Sequence, residues 1–203
     1  MGMLVLFGLM LLNFAISAGN AYSAGQVWGE VTGFTKLVTW SSLIMSVCGF
    51  LTVTAVICGF ISLSAGWIDH RGLEALFSLN YLMIIFPVLG TGAIITIHSW
   101  IRAYKERDFG SIATAGYNTF AQGYNTFNAA NGGVSSAFSN VTEFFTSGDD
   151  DDAKTAIGKV AVLLTLLVAM MLAAGLTYVF FKLGAKSNVA QLRYARQAQP
   201  AYR

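Results

Sequence analysis

Apolar residues fill this chain in long blocks that no charge interrupts. Residues 1–29, 37–68, 75–101 and 160–181 contain no Asp, Glu, Lys or Arg. A helix needs about 20 mostly apolar residues to cross the hydrocarbon of a bilayer. The pattern predicts an all-α, multi-pass membrane protein with about four spans, over residues 3–18, 41–67, 75–101 and 157–181. They form one helical membrane domain covering residues 1–203.

Each span has its own signature. The first is short. A small-x-small triplet at Gly19, Asn20 and Ala21 fits a cleavage site, but no basic residue precedes the apolar core, as a signal peptide would require. A retained short or tilted span is the preferred reading. Residues 19–40 read as a small, polar connector, with Trp28 and Trp40 at headgroup level. Spans two and three are separated by a short connector around Asp69, His70, Arg71 and Gly72, so they are expected to form an antiparallel hairpin. Pro87 is expected to kink the third span. The fourth span places Ala161, Thr165, Ala169, Ala173 and Thr177 at a spacing of four, along one face. In lipid such small faces let helices approach closely, so an assembly contact is expected there.

Residues 109–142 also lack charge, yet they are polar. Residues 116–120, Gly-Tyr-Asn-Thr-Phe, repeat as 123–127. The period of seven carries on. Phe120, Phe127, Val134 and Val141 share one heptad position; Tyr117, Tyr124, Phe138 and Phe145 share another. A 3.5-residue stripe predicts an amphipathic helix over about 110–146, packed lengthwise on other helices. Gly132 and Gly133 are a point of bending or breakage. The helix has three possible placements: outside the membrane, in the interface plane, or across the bilayer within an oligomer.

Charge bears on that choice. The tail, residues 182–203, carries Lys182, Lys186, Arg193, Arg196 and Arg203 and no acid. It reads as a membrane-surface segment on the cytoplasmic or interior side. With four crossings, Arg71 and the five tail charges face Lys36, Arg102, Lys105, Arg107, Lys154 and Lys159 across the membrane, an even division. Letting 109–142 cross leaves only Arg71, Lys154 and Lys159 opposite the rest, as the positive-inside rule prefers. The four-span arrangement is still preferred, because the hydropathy signal of the apolar blocks is stronger.

Composition agrees with a membrane environment. The 203 residues are 55% hydrophobic and 11% charged, against roughly 25% charged in soluble domains. Mean hydropathy is +0.61. Net charge is only +2, which gives no electrostatic case for nucleic acid.

Reactive residues are few and scattered. His70 and His98 fall at opposite ends of one span. Cys48 and Cys58 are ten positions apart on one predicted helix, too far to bridge. Asp149, Asp150, Asp151 and Asp152 are contiguous, so their side chains diverge; they read as a solvated run favouring the dipole of the fourth span. Asn13 and Asn80 sit inside spans, where interhelical hydrogen bonding is expected. Asn140 opens an Asn-Val-Thr sequon. No catalytic, cofactor or metal site is expected. The hairpin over 41–101 resembles in outline the two-helix subunits of secretion or conjugation pili and of some viral membrane coats, with no shared motif.

These features predict a non-enzymatic structural or assembly subunit of a larger membrane complex, in a bacterial envelope machine or a virion membrane. Its expected partners are membrane lipid and other membrane subunits or copies of itself, with no specific nucleic acid and no small-molecule substrate. The alternative is a homo-oligomeric pore lined by the polar face of 109–142.

Overall fold

The computed structural model describes residues 2–147 and 153–198, and among them the fold is all helix. Helix α1 is Gly2–Val27, α2 Gly33–Ser64 and α3 His70–Glu106. Helix α4 is Phe109–Asn128, followed by a single π turn, Ala129–Gly133. Helix α5 is Val134–Thr146 and α6 is Ala153–Ala198. Four of these, α1, α2, α3 and α6, contain stretches long and apolar enough to cross a membrane.

The helices are longer than the apolar blocks. Most of the expected connector over 19–40 is helical, and only residues 28–32 lie between α1 and α2. The small residues that suggest a loop are in fact a packing surface. Ala21, Ala24 and Gly25 are buried, and Gly25 lies directly against the Phe181 carbonyl of α6. Helix α3 begins where the Asp69 carboxylate accepts the Gly72 N–H at 2.7 Å. It ends at Arg107, in left-handed geometry with φ 54°. It runs on through Pro87, whose carbonyl accepts the Thr91 hydroxyl at 2.6 Å.

The core lies among α2, α3 and α6, around Phe50, Leu51, Leu73, Leu76, Val162 and Leu166. Gly59 of α2 sits against Leu73, Leu76 and Phe77 of α3, where a side chain would collide. Helix α1 packs in the angle between α2 and α6. The Phe14 ring meets Phe50 edge-on at 5.1 Å and Phe180 at 6.0 Å.

The two ends of the bundle differ in chemistry. Arg71, Glu74, Glu143 and Ser147 border one small cleft at the end where α2 turns into α3. At the other end Trp28 packs edge-on against Trp40 at 4.9 Å and Phe181 at 5.4 Å. The Lys36 ammonium lies 5.8 Å over the Trp28 ring, and Arg102 of α3 and Asp108, just before α4, line a shared cleft nearby. We call these the turn end and the tail end. Helix α6 has 46 residues and is about 70 Å long at 1.5 Å per residue. It therefore continues well past the tail end.

Candidate functional site

The segment 109–146 lies along α3 and returns over its full length. Near the tail end the Trp100 indole donates to the Thr119 hydroxyl at 2.9 Å, and the Thr96 hydroxyl to the Asn118 carbonyl at 3.3 Å. Midway, the Gln122 amide donates to the Leu89 carbonyl at 2.8 Å. Next, Gly133 comes so close to Tyr81 that any Cβ would meet its hydroxyl. Near the turn end the Asn140 amide donates to the Ser78 hydroxyl at 3.3 Å. Ser111 borders a cleft with Arg102, whereas Ser147 borders one with Arg71 and Glu74. The two serines thus lie at opposite ends of α3.

One capping contact fixes where this return begins. The Asp108 carboxylate accepts the Ser111 N–H at 3.0 Å, closing the first turn of α4. That backbone hydrogen bond, with the Ser111 hydroxyl, holds the Asp108 carboxyl below the ordinary range.

The heptad stripe does not face α3 as a unit. Tyr117, Phe120, Tyr124, Phe127 and Phe138 are exposed, Phe120 at 75% of its surface. Val134, Val141 and Phe145 are half-buried. The reason is the π turn. Asn131 and Gly132 depart from helical geometry, with φ 90° at Gly132. The break rotates α5 relative to α4, so a stripe continuous in sequence is divided in space. Instead of rings, Ser111, Ala115 and Ala137 are buried beside α3, and Gln122 and Asn140 reach into the seam.

Several exposed threonines on α4 and α5 are self-satisfied. Thr114 donates to Gly110, Thr126 to Gln122 and Thr146 to Thr142, each at 2.7–2.8 Å. This i−4 bonding satisfies those three donors within their own helices.

The small face of α6 is turned inward onto α2. Ala169 and Ala173 are fully buried, Thr165 and Thr177 nearly so, and Ala161 partly. The Thr54 hydroxyl donates to the Ala169 carbonyl at 2.9 Å, and Ser62 shares a hydrogen bond of 2.9 Å with Thr165. At Ala169 and Ala173 this face is therefore occupied within the chain. Beside it, an apolar groove of about 900 Å³ opens between α2 and α6, lined by Ile61, Trp67, Val160, Leu164, Val168 and Leu172.

Comparison with protein-family models, curated proteins and solved structures finds no match.

The remaining candidates fall in separate places. His98 packs near Phe34 at the tail end, with ring centroids 6.2 Å apart, while His70 opens α3 at the other end. Cys48 and Cys58 are unbridged. Among the described residues no group of His, Cys, Asp and Glu gathers as metal ligands. Lys182 lies 5.4 Å over the Tyr178 ring, and Lys186 is exposed. Arg193 and Arg196 belong to α6, but their side chains are outside the described set; Arg203 and the run Asp149, Asp150, Asp151 and Asp152 lie outside the described residues. Asn13 donates to the Gly49 carbonyl at 3.4 Å, whereas the Asn80 side-chain oxygen is buried without a partner.

Several contacts escape a reading of the sequence. Gly25 and Gly184 let the α1 and α6 backbones touch, at Phe181 and Tyr22 respectively. Ser46 donates to the Ser17 carbonyl at 2.8 Å. Asn188 ties the α6 extension to Glu30 at 2.9 Å. Each pairs residues too distant in sequence for periodicity to connect.

Proposed function

We propose that α4 and α5 together form a fifth, polar crossing, and that the protein is a non-enzymatic structural or assembly subunit of a larger membrane complex. The observation that carries this reading is the inverted packing of α4. Its amide side chains Gln122 and Asn118 lie toward α3 or half-buried, while Tyr117, Phe120, Tyr124 and Phe127 face outward. A helix on the surface of a soluble protein buries its apolar stripe. The opposite arrangement suits a hydrocarbon surround, where polar groups must find partners inside the protein.

The assembly role is supported by what α4 and α5 leave uncovered. They pack almost entirely on α3, so most of their circumference is open to lipid or to other subunits. The early part of α1, with Leu4, Val5, Phe7 and Leu9, is equally bare. A bacterial envelope machine or a virion membrane suits such a subunit. The inward position of Gln122, and the bond that ties Asn140 to Ser78, take from the pore reading side chains that would line a channel.

Five crossings also order the charges. Lys36, Arg102, Lys105, Arg107, Lys182 and Lys186 gather at the tail end, and Arg71 and Lys159 at the turn end. The positive-inside rule then assigns the tail end, with the C-terminus, to the cytoplasmic or interior face.

Two measurements test the proposal. A membrane-impermeant thiol reagent should label Ser111→Cys and Ser147→Cys from opposite faces; labelling from one face overturns the fifth crossing. The detergent-solubilised complex should have a mass well above one chain. A monodisperse single chain, extracted from its native membrane, counts against a subunit.

A further inference from the structure

The outward side of α4 and α5 is not uniformly aromatic. Between Phe127 and Phe138 the rings give way to Asn128, Asn131, Ser135 and Ser136, with Ser139 just beyond, all exposed. Unlike Thr114, Thr126 and Thr146, these five side chains make no hydrogen bond among the described residues. The backbone is also irregular here, since Asn131 and Gly132 are non-helical and both are exposed.

The depth of this patch follows from its neighbours on α3. Gln122 bonds opposite Leu89, and Gly133 lies opposite Tyr81. Asn128 and Asn131 therefore sit at levels between these two residues. The innermost charges on α3, counted from its two ends, are Glu74 and Arg102. Near the middle of the bilayer there is no water to hydrate an amide, and lipid-exposed irregular backbone is not tolerated in hydrocarbon. Two independent features, unpaired amides and hydroxyls and a broken helix, thus call for a protein cover at the same spot.

We propose that a second copy of this chain supplies that cover, docking through Asn128, Asn131 and Ser135 about a two-fold axis along the membrane normal. The inference rests on α4 and α5 crossing the membrane. Copies inserted with the same topology hold each residue at the same depth. A two-fold contact is isologous, so the patch meets itself. The patch suits self-pairing because it is uncharged and each Asn amide and Ser hydroxyl both donates and accepts. Tyr124, Phe127 and Phe138 flank it and supply ring surface to either side. Lipid offers no hydrogen bonds at this depth, and an unrelated helix would need a matching polar patch at the same level.

The test counts subunits of the full-length chain in phosphatidylcholine vesicles at low protein density, by stepwise photobleaching. The wild type should appear as pairs. Asn128→Leu/Asn131→Leu should weaken pairing by about tenfold or more, the scale of one or two interhelical hydrogen bonds in lipid. Oxidative cross-linking should join copies through Asn131→Cys but not through Met171→Cys, an exposed control on α6. Single copies, or pairs that survive the double substitution, overturn the inference while opposite-face labelling of Ser111 and Ser147 leaves the crossing intact. Counts well above two also overturn it, in favour of a ring around a wet lumen. Labelling of both serines from one face overturns the crossing and this inference together.

Discussion

The hydroxyl of Thr54 on α2 donates to the backbone carbonyl of Ala169 on α6, at 2.9 Å and across 115 residues of sequence. Such a bond requires a helix axis close enough for a short side chain to reach a neighbouring backbone. Ala169 and Ala173 allow it because they present only methyl groups, and both are fully buried. Ala169→Leu/Ala173→Leu should therefore push α6 off α2. The cost is expected at about 1–3 kcal/mol per overpacked site. Denaturation in mixed micelles would measure it, with Met171→Leu as the exposed control. The effect falls on the stability of the single chain, even where no other subunit is present.

Gly25 and Gly184 make the second seam, between α1 and α6. A Cβ on Gly25 would strike the Phe181 carbonyl, and one on Gly184 the Tyr22 carbonyl. Neither obstacle can rotate away, because both are backbone. Gly92→Ala is the contrasting case, since its new methyl would meet only the movable end of Gln122. Gly25→Ala and Gly184→Ala should each cost more than Gly92→Ala, by at least about 1 kcal/mol. Equal thermal stabilities for the three variants would refute this account of the seam.

These seams explain what could and could not be read from the chain. The four long apolar helices were legible because an uninterrupted apolar block of 20 or more residues has few alternatives. Their ends were not. Ala21, Ala24 and Gly25 carry a loop-like composition, yet they are helical because α6 covers them. The stripe from Tyr117 to Phe145 was legible as a period, but a period does not state which solvent a face meets. Gly132 was visible as a weak point. That its positive φ would rotate Val134 and Val141 inward, while Phe120 and Phe127 stay outside, follows only from three-dimensional geometry. The spacing of Ala169 and Ala173 showed a close contact without showing that α2, not another subunit, makes it.

Acid should loosen the start of α4. The Asp108 carboxyl is held below its ordinary value, first by the Ser111 N–H and then by the Ser111 hydroxyl. A depressed carboxyl adds stability above its unfolded pKa, near about 4, and loses it as pH falls through the lower folded value. Asn caps nearly as well and does not titrate there. The thermal stability of Asp108→Asn relative to wild type should therefore rise between about pH 7 and about pH 3. A difference that stays constant over that window would remove Asp108 from the capping role.

Gln122 gives the sharpest test of the contact that orients α4. Its amide donates to the Leu89 carbonyl at 2.8 Å, and Gly92 leaves room for its side-chain oxygen against α3. In Gln122→Leu the volume is nearly kept while the hydrogen bond is lost. A single interhelical hydrogen bond in lipid contributes about 0.6 kcal/mol on average, so the chain should stay folded. The loss should be local, because Gln122 holds α4 to α3 and touches none of the seams at Thr54 or Gly25. Hydrogen exchange should quicken through 115–128 by about threefold, with α2 and α6 unchanged. Gln122→Glu should behave differently, because an ionised carboxylate cannot donate to the Leu89 carbonyl and would be held in an apolar seam. Exchange in α4 should then accelerate further at neutral pH and recover as the carboxyl is protonated. Unaltered protection of α4 in both variants would mean that Phe144, Phe145 and the cap at Asp108 hold the return helix without it.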